Sequence, residues 1–376
     1  MANVSTLGQY LDQIARLKTQ QSTLGDLSVQ ISSGKKTQKL SGLGNDIIKT
    51  TRARIGVNNL GVYNENITNA DRRIKLMLTS IGEIKKQAEN ISGSLIVAVQ
   101  EGDYPDLESI RKLTGNVYNF IIDAMNQVDG DRYLFGGGDT SQQPITDAGL
   151  LSSALGEFMP DESDLTNPPI VASGLIGAWG DGSITTEEFI TAYNASSDTV
   201  LGYSNALSTD TAGKTMVRVN DGSEFDYTTL ANNSAMRDII LALGVLKEMP
   251  PVEHAPGALN DPTATTLAED VAPFPPAEKQ ENFFAVINDL AATLNQAIDA
   301  LDQEVFKLTQ VQAQISIVKS SNTDQINAYK DIIGEVEDVD ITEASVKITQ
   351  MQTQLQASFQ VTALLSQLTL ANFLGN

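Results

Sequence analysis

The chain has 376 residues, with 47 acidic and 25 basic side chains, one histidine and no cysteine, and its formal charge is −22. The lack of cysteine excludes disulfides, thiolate metal sites and cysteine nucleophiles, and one histidine leaves a single imidazole for acid–base chemistry. The negative charge argues against nucleic acid and against an anionic membrane as partners, because both need basic patches.

The N-terminal segment predicts an amphipathic helix. It lacks the basic start and apolar run of a cleaved secretory signal, and no stretch of the chain reaches the roughly eighteen consecutive apolar residues of a membrane span. A helix with one apolar face needs a partner for that face. The apolar positions at helical spacing are Val4, Leu7, Leu11, Ile14, Leu17, Leu24, Leu27 and Ile31.

A long helix is predicted over residues 46–101, and a second helix follows it. Apolar residues recur at alternating three- and four-residue spacing, which is typical of coiled-coil packing. The positions in the first helix are Leu60, Tyr63, Ile67, Ala70, Ile74, Met77, Ile81, Ile84, Ala88, Ile91 and Leu95. Those in the second are Leu107, Ile110, Thr114, Val117, Ile121, Met125 and Val128. The short connection around Pro105 predicts an antiparallel pair.

The middle of the chain differs in composition from its flanks. Eleven of the twelve prolines lie within residues 144–276, and residues 131–276 carry 21 acidic and 5 basic side chains, a net charge of −16. Residues 216–227 alternate around an Asn-Asp-Gly turn and predict a β-hairpin. Asn233 or Ser234 caps a predicted helix that Pro250 ends. We expect this insert to be dispensable for folding of the flanking helices.

The C-terminal flank repeats the helical pattern and ends in an uncharged segment. Its apolar positions are Phe283, Ile287, Leu290, Leu294, Ala297, Leu301, Val305, Leu308, Val311, Ile315 and Val318. Residues 348–376 have no charged side chain and six glutamines. A neutral face suits burial against copies of the same chain, since charges there would repel or lose their hydration. The predicted assembly interface consists of Leu7, Leu11, Ile14, Leu355, Leu365 and Leu368.

We expect the two ends to order only on assembly, because isolated helices are marginally stable in water. Residues 1–33 and 348–376 would then be paired helices in the assembled structure alone.

The chain offers no catalytic, cofactor-binding or metal-binding signature. Residues 177–188 resemble half of a calcium loop, but Gly177 and Trp179 occupy ligand positions, and a capping box at Thr185 and Glu188 explains the pattern better. Three glycines at 136–138 predict a flexible turn, and His254 lies in a proline-rich loop. Acid pairs such as those at 161–162 and 187–188 are expected by chance in so acidic a chain.

These patterns predict a mainly α protein with a long antiparallel helical rod, paired terminal coiled-coil helices and a mixed, β-containing variable insert. We expect a terminal domain of residues 1–45 and 327–376, a rod domain of 46–138 and 277–326, and an outer domain of 139–276.

Several motifs resemble the bacterial flagellin family. They are Gln-Ile-Ser-Ser-Gly-Lys-Lys at residues 30–36, the helix with Asn-Ile-Thr-Asn-Ala at 66–70, and Glu-Val-Glu-Asp-Val-Asp-Ile-Thr-Glu-Ala at 335–344. Residues 131–137 and 365–374 are more similar to the hook-associated members of the family than to filament flagellin. Residues 40–46 depart from the flagellin pattern, which has paired Asp followed by Ala there.

The resemblance implies a non-enzymatic structural protein that is exported without a cleaved signal and joins hook to filament. It implies as partners copies of the chain, a neighbouring hook-associated protein, flagellin and an export chaperone, with no cofactor. Two alternatives remain open at the level of sequence. One is the bulk filament subunit of the same family, and the other is a secreted glycan-binding or hydrolytic protein.

Overall fold

The computed structural model describes residues 2–101, 107–156, 158–160, 170–172, 174–180, 182–250 and 277–374. The helices among these residues are α1 (Ala2–Ser33), α2 (Ile47–Glu101), α3 (Leu107–Met125), α4 (Leu150–Leu155), α5 (Gly174–Gly180), α6 (Thr186–Asn194), α7 (Asn205–Ser208), α8 (Ser234–Glu248), α9 (Ala277–Glu337) and α10 (Ile341–Leu374). The strands are β1 (Val128–Asp129), β2 (Arg132–Tyr133), β3 (Phe158–Pro160), β4 (Ile170–Ala172), β5 (Met216–Arg218) and β6 (Glu224–Asp226). The predicted mainly α class is confirmed.

The chain forms two compact units. The first unit contains Met1–Val62 and Ser320–Asn376, and the second contains Tyr63–Lys319. Helices α2 and α9 each contribute residues to both units. The three-domain division drawn from composition stays a prediction.

In the first unit, α1 and α10 pack against each other in opposite directions. Gln13 Nε2 donates to Thr362 Oγ1 at 3.1 Å, while Lys35 lies opposite Asp338 in an antiparallel bridge. Leu27 and Leu355 are buried. The sequence predicts this pairing only in an assembly, whereas the single chain already forms it and buries part of each apolar stripe.

In the second unit, the predicted heptad stripe of α2 lies in the core. All nine of its positions from Ile67 to Leu95 are buried. Three polar pairs connect α2 to α9, and the residue numbers rise along α2 while they fall along α9. The pairs are Thr68 with Lys319, Lys85 with Asp302, and Ser92 with Asn295. This order makes the two helices antiparallel.

The strands form three two-stranded antiparallel sheets. The predicted hairpin is β5–β6, in which Val217 pairs with Phe225. The predicted cap of α8 is Asn233, whose side-chain oxygen accepts from Met236 N at 2.9 Å. The prediction for Val128 is wrong: α3 ends at Met125, and Val128 begins the β1–β2 hairpin.

The insert shares its core with the long helices of the second unit. Trp179, Phe189 and Met236 belong to the same cluster of buried residues as Ile74 and Leu294. Tyr193 of α6 also donates a hydrogen bond from its hydroxyl to Asp289 of α9 at 2.5 Å. The expectation that the insert is dispensable for folding therefore no longer holds for this unit.

The glycines at 136–138 pack closely against a neighbouring loop, contrary to the prediction of a flexible turn. Gly138 N donates to Gly213 O at 3.3 Å, and Asp139 N donates to Ala212 O at 3.0 Å. A Cβ at Gly137, whose φ is +65°, would lie 2.8 Å from Gly213 O. Glycine is needed here because two backbones approach each other closely.

Candidate assembly surface

A junction in the first unit connects the end of α1 to the start of α10. Gly34 follows α1 with φ +70°, a left-handed conformation that glycine adopts without strain, and it turns the chain toward α10. Lys36 N then donates to Glu337 O at 2.7 Å, and Val339 N donates to Gly34 O at 2.9 Å. We call Gly34–Lys36, Arg54 and Glu337–Val339 the terminal latch.

Ion pairs reinforce the terminal latch. Glu337 is only 6% exposed, and Arg54 Nη2 donates to both of its carboxylate oxygens at 2.7 and 2.8 Å. Lys35 Nζ lies 2.5 Å from Asp338 Oδ1 and 3.7 Å from Glu337 Oε2. The hydrogen bond to Asp338 raises the pKa of Lys35 above its ordinary value. A buried carboxylate held by two cations fixes the local geometry, since leaving it unpaired is costly.

The terminal latch brings together two of the motifs that carry the family resemblance, at residues 30–36 and 335–344. Sequence reasoning treated them separately and missed their contact. The available signal was their opposite charge, with Lys35 and Lys36 in one motif and Glu335, Glu337 and Asp338 in the other. Charge alone does not pair segments that lie about three hundred residues apart.

The predicted interface residues fall into three groups. Leu11 and Ile14 are exposed on α1, so they are available to another molecule. Leu355 is only 6% exposed and packs within the chain instead. The side chains of Leu7, Leu365 and Leu368 lie outside the described part of the structure.

The part of α10 whose side chains the structure describes presents a neutral surface. The sequence predicted this neutral segment but not which of its residues are exposed. Phe359, Val361 and Leu364 are large apolar residues exposed on this helix. Exposed glutamines accompany them at 350, 352, 354, 356 and 360. Apolar groups in this number on an exposed helix face are typical of a surface that another molecule covers.

The half-motif for calcium is a helix start in the structure. Thr185 caps α6 in a capping box with Glu188, and Trp179 is buried in α5. The backbone N–H of Thr185 lowers the pKa of the Glu188 carboxyl by donating to it. Among the residues that the structure describes, no three His, Cys, Asp or Glu side chains are grouped to hold a metal ion. His254 and the acid pair at 161–162 lie outside them.

The helices that the structure describes include none that is long and apolar enough to cross a membrane.

Comparison with known proteins finds a family model that the C-terminal part of the chain matches. Residues 291–374 match the family model described as the bacterial flagellin C-terminal helical region. This match covers about three quarters of α9 and the whole of α10, and it includes the Glu337–Val339 part of the terminal latch. It confirms the flagellin resemblance over that region.

A solved structure matches much of the chain at low similarity. It comes from Vibrio parahaemolyticus and is provisionally described as a flagellar hook-associated protein, with 11% identity and a TM-score of 0.47 over 79% of this chain and 100% of that one. At this identity and score the likeness carries no argument about function. No curated protein sequence matches the chain.

Proposed function

We propose that this chain is a structural subunit of the flagellum that joins the hook to the filament, because its residues 291–374 match the model of the bacterial flagellin C-terminal helical region. The observation that carries the proposal is the antiparallel α1–α10 pair, closed by the terminal latch. It brings the matched C-terminal region together with the N-terminal motif that resembles the same family.

The uncharged end of α10 supports a role in a crowded assembly. Neighbouring subunits in a tube bring identical surfaces close together, and like charges there would repel in a partly dehydrated environment. Residues 348–376 avoid this repulsion, because they carry amides and apolar groups and no charge. The exposed Phe359 and Leu364 then contribute burial when copies meet.

Three sequence features favour the junction over the filament. Residues 131–137 and 365–374 are similar to hook-associated protein 3, the junction protein of the family. Residues 40–46 lack the flagellin pattern and form a 3-10 helix, Leu40–Asp46, ahead of α2. The proposed partners are copies of the chain, a neighbouring hook-associated protein and flagellin.

The proposal includes export of the unfolded chain through the flagellar secretion apparatus. Before assembly, the exposed apolar residues of α10 need cover, which an export chaperone would provide. The proposed location is the hook–filament junction outside the cell.

Deleting the gene and imaging the flagella by negative stain tests this proposal. A junction subunit predicts bare hooks, with flagellin released into the medium as monomer. A filament subunit predicts hooks without filament and no major secreted flagellin. Mass spectrometry of purified wild-type flagella separates the two independently, since a junction subunit is present in a few copies and a filament subunit is the main protein. Normal filaments in the deletion strain would overturn both roles.

A further inference from the structure

A polar cleft opens in the second unit, where loops of the insert meet α9. Its volume is about 520 Å³, which lies within the range of roughly 300–1,000 Å³ that is typical of small-molecule sites. Residues of the segments 207–214 and 226–233 form its wall together with Glu304 and Lys307 of α9. The proposed structural role makes no use of this cleft, so its chemistry is open to a separate interpretation.

Hydrogen bonds and ion pairs hold the polar groups of the cleft in place. Glu304 Oε2 accepts from Thr229 Oγ1 at 3.1 Å and lies 3.4 Å from Lys307 Nζ. In the insert, Lys214 Nζ lies 3.1 Å from Asp226 Oδ2. Polar groups that are already fixed lose little conformational freedom when a ligand binds to them, which favours binding.

The charges of the cleft nearly cancel. Its lining contains the carboxylates of Asp210, Asp226 and Glu304 and the ammonium groups of Lys214 and Lys307, so its net charge is −1. Each lysine is paired with a carboxylate. An anionic ligand would therefore have to displace one of these carboxylates, and it would also be repelled by Asp210, which is exposed. This arrangement favours an uncharged ligand.

Asn233 supplies a hydrogen-bond donor that the fold leaves unused. Its side-chain oxygen caps α8 by accepting from Met236 N at 2.9 Å. Its Nδ2 is buried and has no hydrogen-bond partner among the residues that the structure describes. Buried donors are seldom left unpaired, because the loss of their hydration is then not compensated. An oxygen atom of a ligand in the cleft would supply the acceptor that Asn233 lacks.

We propose that this cleft binds a neutral mono- or disaccharide. Each sugar hydroxyl both donates and accepts hydrogen bonds, which matches a lining that combines carboxylates, amides and threonine hydroxyls. Leu230, which is partly exposed, lines the cleft and offers an apolar contact to the C–H groups of a sugar ring. The inference goes beyond the structural role, because it gives the insert a binding activity of its own. It also gives the glycan-binding alternative a location in the same molecule.

Saturation-transfer NMR on the full chain tests the ligand class. The neutral probes are maltose, lactose and diacetylchitobiose, and the charged comparators are glucuronate, an anion, and free serine, a zwitterion. We expect at least one neutral probe to bind with a Kd of about 1 mM or lower, and both comparators to bind at least about tenfold more weakly. No transfer to any neutral probe at about 10 mM would overturn the proposal. Tighter binding of glucuronate or serine would also overturn it.

Two substitutions test whether the sugar binds in this cleft. Asn233→Asp keeps an oxygen to cap α8 but removes the amide donor, and Asp210→Asn removes the exposed carboxylate. Each is expected to weaken sugar binding about tenfold, because it removes a hydrogen-bonding group of the cleft. Circular dichroism and the thermal midpoint show whether the variants fold as wild type does. If both folded variants bind the sugar as tightly as wild type, the proposal is wrong.

Asp331→Asn is the matched control, since Asp331 is exposed on α9 and does not line the cleft. It should leave the Kd unchanged, and a loss equal to that of Asp210→Asn would count against the cleft. All of these measurements use the unassembled chain. Failure of the sugar proposal therefore leaves the proposed role in the flagellum untouched, and a wild-type flagellum in the deletion strain would not affect the sugar site.

Discussion

Glu337 is the most deeply buried acidic residue of the terminal latch, and it also has the strongest charge pairing there. Its carboxylate receives the Arg54 guanidinium and lies near Lys35, while its backbone oxygen accepts from Lys36. One residue therefore connects α2, α9 and the segment after α1. Its side chain contributes through hydrogen bonds to charged groups, which are stronger than neutral ones.

Glu337→Gln is expected to lower the free energy of unfolding of the first unit by about 1–3 kcal/mol, because the charged hydrogen bonds from Arg54 are lost. Chemical denaturation followed by circular dichroism measures the change. Glu335→Gln is the matched control, since its carboxylate is exposed and lies 3.7 Å from Lys49. The control should change stability by less than about 0.5 kcal/mol. Equal effects of the two changes would contradict the latch.

Tyr118 predicts how the second unit responds to alkali. Burial raises the pKa of its hydroxyl to about 12, with Glu248 and Asp147 adding to the effect. A tyrosine in an unfolded chain has a pKa of about 10. The folded state thus holds this proton more tightly, so the contribution to stability is complete below pH 10 and is lost as the pH rises to 12.

Tyr118→Phe is expected to cost about 0.5–1.5 kcal/mol at neutral pH, because the hydroxyl donates to Ala148 O at 3.2 Å. The difference in unfolding free energy between wild type and the variant should then become smaller between pH 10 and 12. Only the wild-type protein has this hydroxyl, so only wild type loses stability when it ionises. Urea denaturation at pH 8 and pH 11 measures both differences. A difference that stays constant with pH would show that Tyr118 does not titrate as described.

At the residue scale, sequence predicted caps and buried stripes but not distant pairs. Thr185 with Glu188 and Asn233 were recognisable because a cap depends on residues within three positions. Arg54 with Glu337 was not, because its members are 283 residues apart. The candidate interface could be predicted only in part. The exposure of Leu11 followed from its stripe. The burial of Leu355 did not, because it depends on how α1 and α10 pack.

At the scale of elements, α2 has an inner and an outer side with different tasks. Ile84→Ala, at a fully buried position, is expected to lower the free energy of unfolding by about 2–5 kcal/mol, because it leaves a cavity. Ile55→Ala removes the same atoms from an exposed position and should change it by less than about 0.5 kcal/mol. Thermal denaturation of the monomer compares the two. Similar losses would mean that the outer side is packed in the free chain.

Long elements were predictable and short ones were not. The heptads of α2 and α9 repeat often enough to define a face over many turns. The strands β1 and β2 have two residues each, and β3 and β4 have three. Strands this short show little alternation, so their pairing is not evident from the sequence without a turn signal such as the Asn-Asp-Gly between β5 and β6. Val128 continued the helical spacing of α3 by coincidence and was misassigned for that reason.

At the scale of the whole molecule, we expect changes in the chain ends to impair assembly without affecting folding, and we expect deletion of the insert to impair folding. Leu365→Asp with Leu368→Asp is expected to spare folding of the monomer and to abolish incorporation into flagella, because it places charge on the neutral end of α10. Circular dichroism and motility assays measure the two effects. Normal motility of the double variant would contradict a role for this end in assembly. The control is Lys347→Asp, which changes a residue just before the uncharged segment.

Deleting residues 139–276 and inserting a short linker is expected to destabilise the second unit. Helix α8 buries ten residues and packs against α3, so its loss would expose Tyr118 and Ile121. Calorimetry should show a lower and broader transition than that of the full chain. An unchanged transition would restore the expectation, drawn from composition, that the insert is separate from the helices.

The terminal latch also bears on the order in which the chain folds. Lys35 and Asp338 are 303 residues apart, so their contact closes a loop that contains most of the protein. Closing so long a loop has an entropic cost that no local contact repays beforehand, and such contacts form slowly. A chain that emerges from its N-terminus first cannot complete the latch until residue 338 is free. The N-terminal helix therefore stays unpaired until nearly the whole chain has emerged, either from the ribosome or along the proposed export route.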